Sequence, residues 1–454
     1  MWACRSFLRR PSVNLITSRL RSVSRHHPTH TAVPCPNLVS ASRRHVSDAT
    51  NVDRHQPAAA AATKHLYVVL DDHKKDYGIY KLDADADLRD SEFNSDSTTT
   101  APRRLPHPAH IRMEVSEEED SSAQFAAAGS CIVATGCSPF TSLVHSDDCG
   151  VVTIQYDIRT AALSVSTHPT DTLHWGYAVA VPVGNRLYVL DLRTSTVDSF
   201  HCMTTSRDGD AAAVGEVKQR DWSWYDGSGS SRIGWSYGGK ARSWSDLLPF
   251  DSDDIQGYAV HPRDCTIFLS APVLDDEERF PPVNTFAYDT TTAGCWEWTH
   301  RGNWKLPFKG HARHDRQLNK WVGLQVGEDG DGTTGYICAC DVPANNHDED
   351  RSPQCVRSME KIVLDDPDQR RLDLKLVYMD ERAEYCLFER LRRQGANEKD
   401  CPVVDGEECV LRLTTFRLKY ERGEPGYLTI IDRRARSYKV VRYRDDFEAQ
   451  AFWL

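Results

Sequence analysis

The sequence predicts an all-β protein built from repeated units, and three observations predict it. First, a short apolar run ends in Asp, a few polar residues follow, and a second apolar run begins. This phrase occurs as IQYDIRTAALSV (154–165), LYVLDLRTSTVDSF (187–200), TFAYDTTTAGCWEWT (285–299) and LTIIDRRARSYKVV (428–441). Each copy reads as strand, turn, strand. Second, no long amphipathic helical period appears beyond the N-terminal segment. Third, 454 residues give room for one large repeat fold. A single four-stranded unit cannot bury both of its faces, so such units need neighbours. The pattern therefore predicts a β-propeller of about six blades, with five or seven also compatible, over residues 65–454.

The elements follow in order along the chain. Residues 48–64 are polar and Ala-rich (QPAAAAATK) and read as a linker. The folded body is expected to start at HLYVVLDD (65–72), which turns through HKKDYG into IYKLD (79–83). Residues 84–121 are poor in strand signals and are expected to form an exposed insertion. FAAAGSCIVATG (125–136) precedes the VVTIQYDIRTAALSV hairpin, and residues 175–200 hold three strands with a tight turn at Gly184-Asn185. Residues 203–253 break the pattern with a Gly/Ser-rich, Trp-punctuated loop.

The beat resumes at GYAVHPRDCTIFLSAP (257–272), with a turn near Pro262–Asp264. GHARHDRQLNKWVGLQVG (310–327) turns at Arg316–Asn319, and YICACDV (336–342) and LDLKLVYMDERAEYCLFERL (372–391) repeat the grammar. The last unit runs through VLRLTTFRLKY and YLTIIDRRARSYKVVRY to Phe452-Trp453-Leu454. The first strand is expected to complete the last blade and so latch the ring.

Charge divides the chain. Residues 1–47 hold eight Arg and neither Lys nor acid, so removing them takes the remainder from −11 to −19. An Arg-rich, Ser-rich, acid-poor start that can form a basic amphipathic helix reads as an organelle transit peptide, for a mitochondrion or, as the alternative, a chloroplast. If the segment is instead a basic tail, the protein is cytoplasmic or nuclear. The acidic balance argues against nucleic acid as a partner. No apolar stretch is long enough for a membrane-spanning helix. There is no secretory core segment, so the 14 Cys are read as reduced and mostly packed as small hydrophobes.

GNRLYVLDLRTSTVDSF resembles a kelch-type repeat, in which Gly makes the turn, the strand reaches Asp and an aromatic packs between blades. Over residues 65–345 the ordered phrases LYVVLDDHKKDYGIYKLD, WSWYDG, LLPF, YAVHPRDCTIFLSAP, HRGNWKLPFKGHARHDRQLNKWVGL and GYICACDV resemble a plant family known as a kelch-like domain of unknown function. That resemblance implies the propeller fold and a plant source, and it carries no catalytic residues onto this chain.

Galactose oxidase is a kelch propeller with a copper site, which makes His261, His311, His314 and Tyr336 candidate imidazole and phenolate ligands. They match no ligand motif of that enzyme, and surface or packing roles fit them better. Cys338-x-Cys340 places two thiols on one strand face, and a redox or metal role would need partners from elsewhere. GEDGDGTTG (327–335) lacks the closing Glu of a calcium loop. No phosphate loop or nucleophile elbow is present, so no cofactor is expected.

The candidate binding loop comprises Trp222, Trp224, Tyr225, Trp235, Tyr237 and Trp244, flanked by Arg232, Lys240 and Arg242. Trp and Tyr supply contact area at low entropy cost. The competing reading has these rings stapling blades together. The functional expectation is a non-enzymatic propeller that binds a protein partner. The alternative is an oxidoreductase- or hydrolase-type enzyme with its site in the central channel, assembled from residues distant in sequence.

Overall fold

The computed structural model describes residues 64–454 except 74–75, 84–85, 88–101, 107–108, 115–122, 138–151, 168–176, 185, 192–199, 206–221, 227–247, 251–253, 274–280, 292–297, 326–333, 344–351, 364–368, 394–405, 422–425 and 445–446. The basic segment and the linker up to residue 63 lie outside the described residues. Every described regular element is a β-strand, and no described helix is long and apolar enough to cross a membrane.

In chain order the strands are β1 (Leu66–His73), β2 (Asp76–Leu82), β3 (Arg103–Arg104) and β4 (Ile111–Glu114). Next come β5 (Gln124–Ala128), β6 (Cys131–Cys137), β7 (Val152–Asp157) and β8 (Ala162–Thr167). They are followed by β9 (Tyr177–Val183), β10 (Arg186–Asp191), β11 (Phe200–Thr205) and β12 (Trp222–Asp226). The second half holds β13 (Gly257–Val260), β14 (Ile267–Pro272), β15 (Val283–Tyr288), β16 (Trp298–Gly302), β17 (Lys309–Asp315), β18 (Lys320–Gln325), β19 (Tyr336–Cys340) and β20 (Cys355–Lys361). The chain ends with β21 (Gln369–Met379), β22 (Glu384–Arg393), β23 (Glu407–Glu421), β24 (Tyr427–Arg442) and β25 (Gln450–Trp453).

These strands pair antiparallel in units of four (β25-β1-β2-β4, β5 to β8, β9 to β12, β13 to β16, β17 to β20 and β21 to β24), and parallel β13–β17 and β20–β24 contacts join the last three units into one continuous sheet, with β3 added on β24. The second strand of each is flanked on both sides. β1 (LYVVLDDH) and β14 (IFLSAP) are buried almost throughout, which is why they read as continuous apolar runs. Outer strands are wetter, with Leu163 and Val165 of β8 exposed.

Alternation along each strand sends successive residues to different neighbours. Leu187 and Val189 of β10 join the core shared with Val133 of the second unit, while Tyr188 and Leu190 pack with Ile267 and Phe286 of the fourth. Phe268 joins Trp321 and Phe308 of the fifth unit. Val322 and Leu324 of the fifth unit meet Leu387 and Phe416 of the sixth. Met379, Phe388 and Leu411 of the sixth meet Leu66, Val68 and Ile79 of the first, and that same cluster takes in Phe125 and Ile132 of the second. The units therefore stack face to face in chain order, a propeller-like architecture.

The Asp that ends two of the sequence phrases, and Asp315 at the end of β17, have a physical role. Asp157 Oδ1 accepts from Arg159 N at 3.0 Å, Asp289 Oδ1 from Thr291 N at 2.8 Å, and Asp315 Oδ1 from Gln317 N at 2.8 Å. Each carboxylate closes the turn that starts the hairpin. Gly184 sits at φ +61°, as the tight two-residue turn between β9 and β10 requires.

Four expectations change. Residues 84–121 contribute a strand, β4, to the first unit. Within 203–253, β12 pairs with β11. Residues 428–441 are not a hairpin: β24 is one continuous strand against the 15-residue β23, with a register shift opposite Thr415/Arg417 and Asp432 at φ +54°. A bulge absorbs the turn-like residue and pairing resumes beyond it. The link between chain ends also runs the other way from that expected. The last strand joins β1, β2 and β4, with Leu66 facing Trp453 and Val69 facing Gln450.

A buried charge cluster fastens this junction. Arg390 donates to Asp71 Oδ1 at 2.6 Å and to Phe447 O at 2.7 Å, and it ion-pairs with Asp373. Asp71 Oδ2 accepts from the backbone N–H groups of Tyr443 (3.0 Å) and Arg444 (2.7 Å). Arg390 and Asp71 are almost wholly excluded from water.

Candidate functional site

The clearest polar cluster lies where the first strands of the fourth and fifth units meet. β13 and β17 pair in parallel, with Gly257 opposite Gly310, Tyr258 opposite His311, and Ala259 opposite Ala312. The sequence permits this approach through its glycines. A Cβ on Gly257 would lie 2.4 Å from the Phe308 carbonyl oxygen, and Gly310 takes φ +69°. β17 shifts register against β18 between Lys309 and Arg313, and Gly310 N donates instead to Gln256 O at 2.8 Å. A bulge of this kind re-aims side chains.

Ala259 and Ala312 are buried in the core between the two units, while Tyr258 and His311 are half-buried and Arg313 is exposed. The Tyr258 and His311 rings stack with centroids 4.7 Å apart and planes at 14°. Burial pushes the Tyr258 hydroxyl up to about 12, with Arg313 pulling the other way. Burial, then the Arg313 charge, holds His311 well below the ordinary imidazole value, so it is neutral at physiological pH. Arg313 itself is lowered by desolvation, opposed by Tyr258 and Asp380. The exposed Arg313 thus stands near the half-buried Tyr258–His311 ring pair. The arrangement presents a flat neutral ring pair beside a cation, which suits stacking and holding a carboxylate.

The sequence-predicted residues go to separate places. Of the four candidate copper ligands, His311 is in this stack. His261 Nδ1 accepts from the Asp264 N–H at 3.4 Å, His314 contacts Asn319 Oδ1 at 3.3 Å, and Tyr336 lies under Arg357 at 4.4 Å. Among the described residues no set of three His, Cys, Asp or Glu is placed to hold a metal ion. Trp222, Trp224 and Tyr225 lie on β12, opposite Thr205, Met203 and Cys202 of β11. Trp235, Tyr237 and Trp244 lie outside the described residues, so the predicted binding loop falls partly on a paired strand. Residues 327–333 of the calcium-like loop are also outside them.

Sequence reading singled out His311 but missed Tyr258 and Arg313. Arg313 stands two residues from His311, which in a strand is the spacing of one face. Only the parallel pairing brings in Tyr258.

No curated protein sequence matches the chain. Among solved structures it is similar to the Pseudomonas aeruginosa periplasmic gluconolactonase at 11% identity, over 86% of this chain and 98% of that one, with a TM-score of 0.34. A likeness at that level says nothing about activity. A family model matches residues 63–438, nearly the whole folded body, and the chain belongs to that family, described as protein of unknown function (DUF1668).

Proposed function

We propose that the protein is a non-enzymatic binding module on a kelch-like propeller, that the six units are its blades, and that its ligand is a protein partner offering a carboxylate to Arg313. The observation that carries this reading is the Tyr258–His311 stack beside the exposed, partly desolvated Arg313. Five of the six steps between consecutive first strands (β5 to β9, β13 to β17, β17 to β21, β21 to β25 and β25 to β5) bring neighbours together, as around a common axis. Tyr258 packs against the core shared by the third and fourth units, while its neighbour Ala259 and the Ala312 beside His311 belong to the core between the fourth and fifth.

Selection from a displayed random-peptide library against the folded protein tests the reading. Enriched peptides are expected to share an acidic residue. They should bind the Arg313→Ala variant about 10- to 100-fold more weakly, the loss of one charge-assisted hydrogen bond. Peptides that bind both proteins equally would remove Arg313 and its ring pair from consideration.

We also propose that residues 1–47 direct import into mitochondria, on the strength of eight Arg without an acid. A fluorescent reporter carrying residues 1–55 is expected to co-localise with a mitochondrial marker. A reporter that stays diffuse in the cytosol refutes import.

A further inference from the structure

The fifth unit gathers three thiols that the sequence separates. Cys340 of β19 faces Cys355 of β20, and Cys338 faces Arg357 two positions along. Strand alternation puts Cys338 and Cys340 on one face, and the facing register puts Cys355 there too. All three are free. Cys338 and Cys340 are fully buried in the core shared by the fourth and fifth units, whereas Cys355, on an outer strand, is exposed.

Backbone pairing sets the distance. Asp341 N donates to Gln354 O at 3.0 Å, which makes 341/354 a hydrogen-bonded pair and the adjacent Cys340/Cys355 a non-hydrogen-bonded one. Such pairs hold their Cα atoms about 4.5 Å apart, inside the span a disulfide bridges. The surroundings differ across the cluster. A hydrogen bond from Cys338, then the nearby Lys320 and Arg357 charges, lowers Cys355 below the ordinary thiol value against the opposing effect of desolvation. Burial, then the Cys355 charge, raises Cys340.

We propose that Cys355 is a peroxide-reactive thiolate whose oxidation ends in a cross-strand disulfide with Cys340. The oxidant is a hydroperoxide. The Cys355 sulfur attacks one peroxide oxygen, an S–O bond forms, the O–O bond breaks, and hydroxide leaves. Cys355 is oxidised by two electrons to sulfenic acid and the peroxide is reduced. The Cys340 sulfur then attacks the Cys355 sulfur. An S–S bond forms, the S–O bond breaks, and hydroxide departs with the Cys340 proton as water. Neutral sulfenic acid no longer places a negative charge beside Cys340, so the first step eases deprotonation for the second. Cys338 faces Arg357, donates to Pro307 O at 3.3 Å and does not enter the bridge.

The test is hydrogen peroxide added to the folded protein, followed by alkylation and peptide mapping. A Cys340–Cys355 linked peptide is expected, with the protein lighter by about 2 Da and dithiothreitol restoring the thiols. Cys355→Ser should abolish the bridge, and Cys340→Ser should leave a sulfenic acid at Cys355 that dimedone traps. Iodoacetamide at neutral pH should alkylate Cys355 before the other described cysteines. Should a variant fail to fold, mapping of the unmutated protein decides alone. The proposal fails if Cys355 stays a free thiol, if it passes to sulfinic acid while Cys340 remains alkylatable after denaturation, or if the bridge joins Cys338.

Discussion

Arg390→Ala is expected to cost about 3–5 kcal/mol at neutral pH, the penalty for leaving buried charges without their partner. Arg390 is 1% exposed, and both carboxylates it serves, Asp71 and Asp373, are buried. Burial pushes both carboxyls above the ordinary value, and the Arg390 charge is the largest opposing influence on each. A carboxyl raised in the folded state favours folding while protonated, and that contribution is lost as pH rises through the folded value. Removing Arg390 raises both further. The variant's deficit should therefore be larger at pH 8 than at pH 5. Urea unfolding at the two values measures it, and a deficit that is absent or independent of pH would show that the cluster does not hold the junction. Adding Asp71→Asn and Asp373→Asn to Arg390→Met should recover part of the loss, because no buried charge then remains.

Truncation after Ala449 is expected to remove on the order of 5 kcal/mol, because it strips Phe452, Trp453 and Leu454 from the core and opens the edge of β1. The paired bonds His65 N to Leu454 O (2.8 Å) and Leu454 N to His65 O (3.1 Å) go with them. The Leu66–Leu70 run would then offer an apolar, unpaired strand edge, a template for aggregation. Urea unfolding should show an earlier midpoint in one transition, since the first unit packs on both the sixth and the second. An unchanged midpoint would mean that the junction of the chain ends contributes nothing.

The second strands were legible because burial on both faces writes a continuous apolar run, as in LYVVL and IFLSAP. The Asp phrase was legible because Asp157 and Asp289 close turns through their own side chains. β4 and β12 were not, since short fourth strands need little apolar sequence when a neighbour supplies the ladder. Asp432 misled because a bulge and a turn ask for the same backbone conformation. The cluster of Tyr258, His311 and Arg313 was only half legible. His311 stood out as a histidine, but its partner Tyr258 lies over fifty residues away and reaches it through a parallel contact that leaves no periodic trace. Cys355 joined Cys340 for the same reason: a register is not written in spacing alone.

The partnership of β1 with β25 also sets a schedule for biosynthesis. β1 receives its edge partner only once residues 450–453, made far later, have left the ribosome. Until then the nascent polypeptide displays the exposed side of β1 to chaperones.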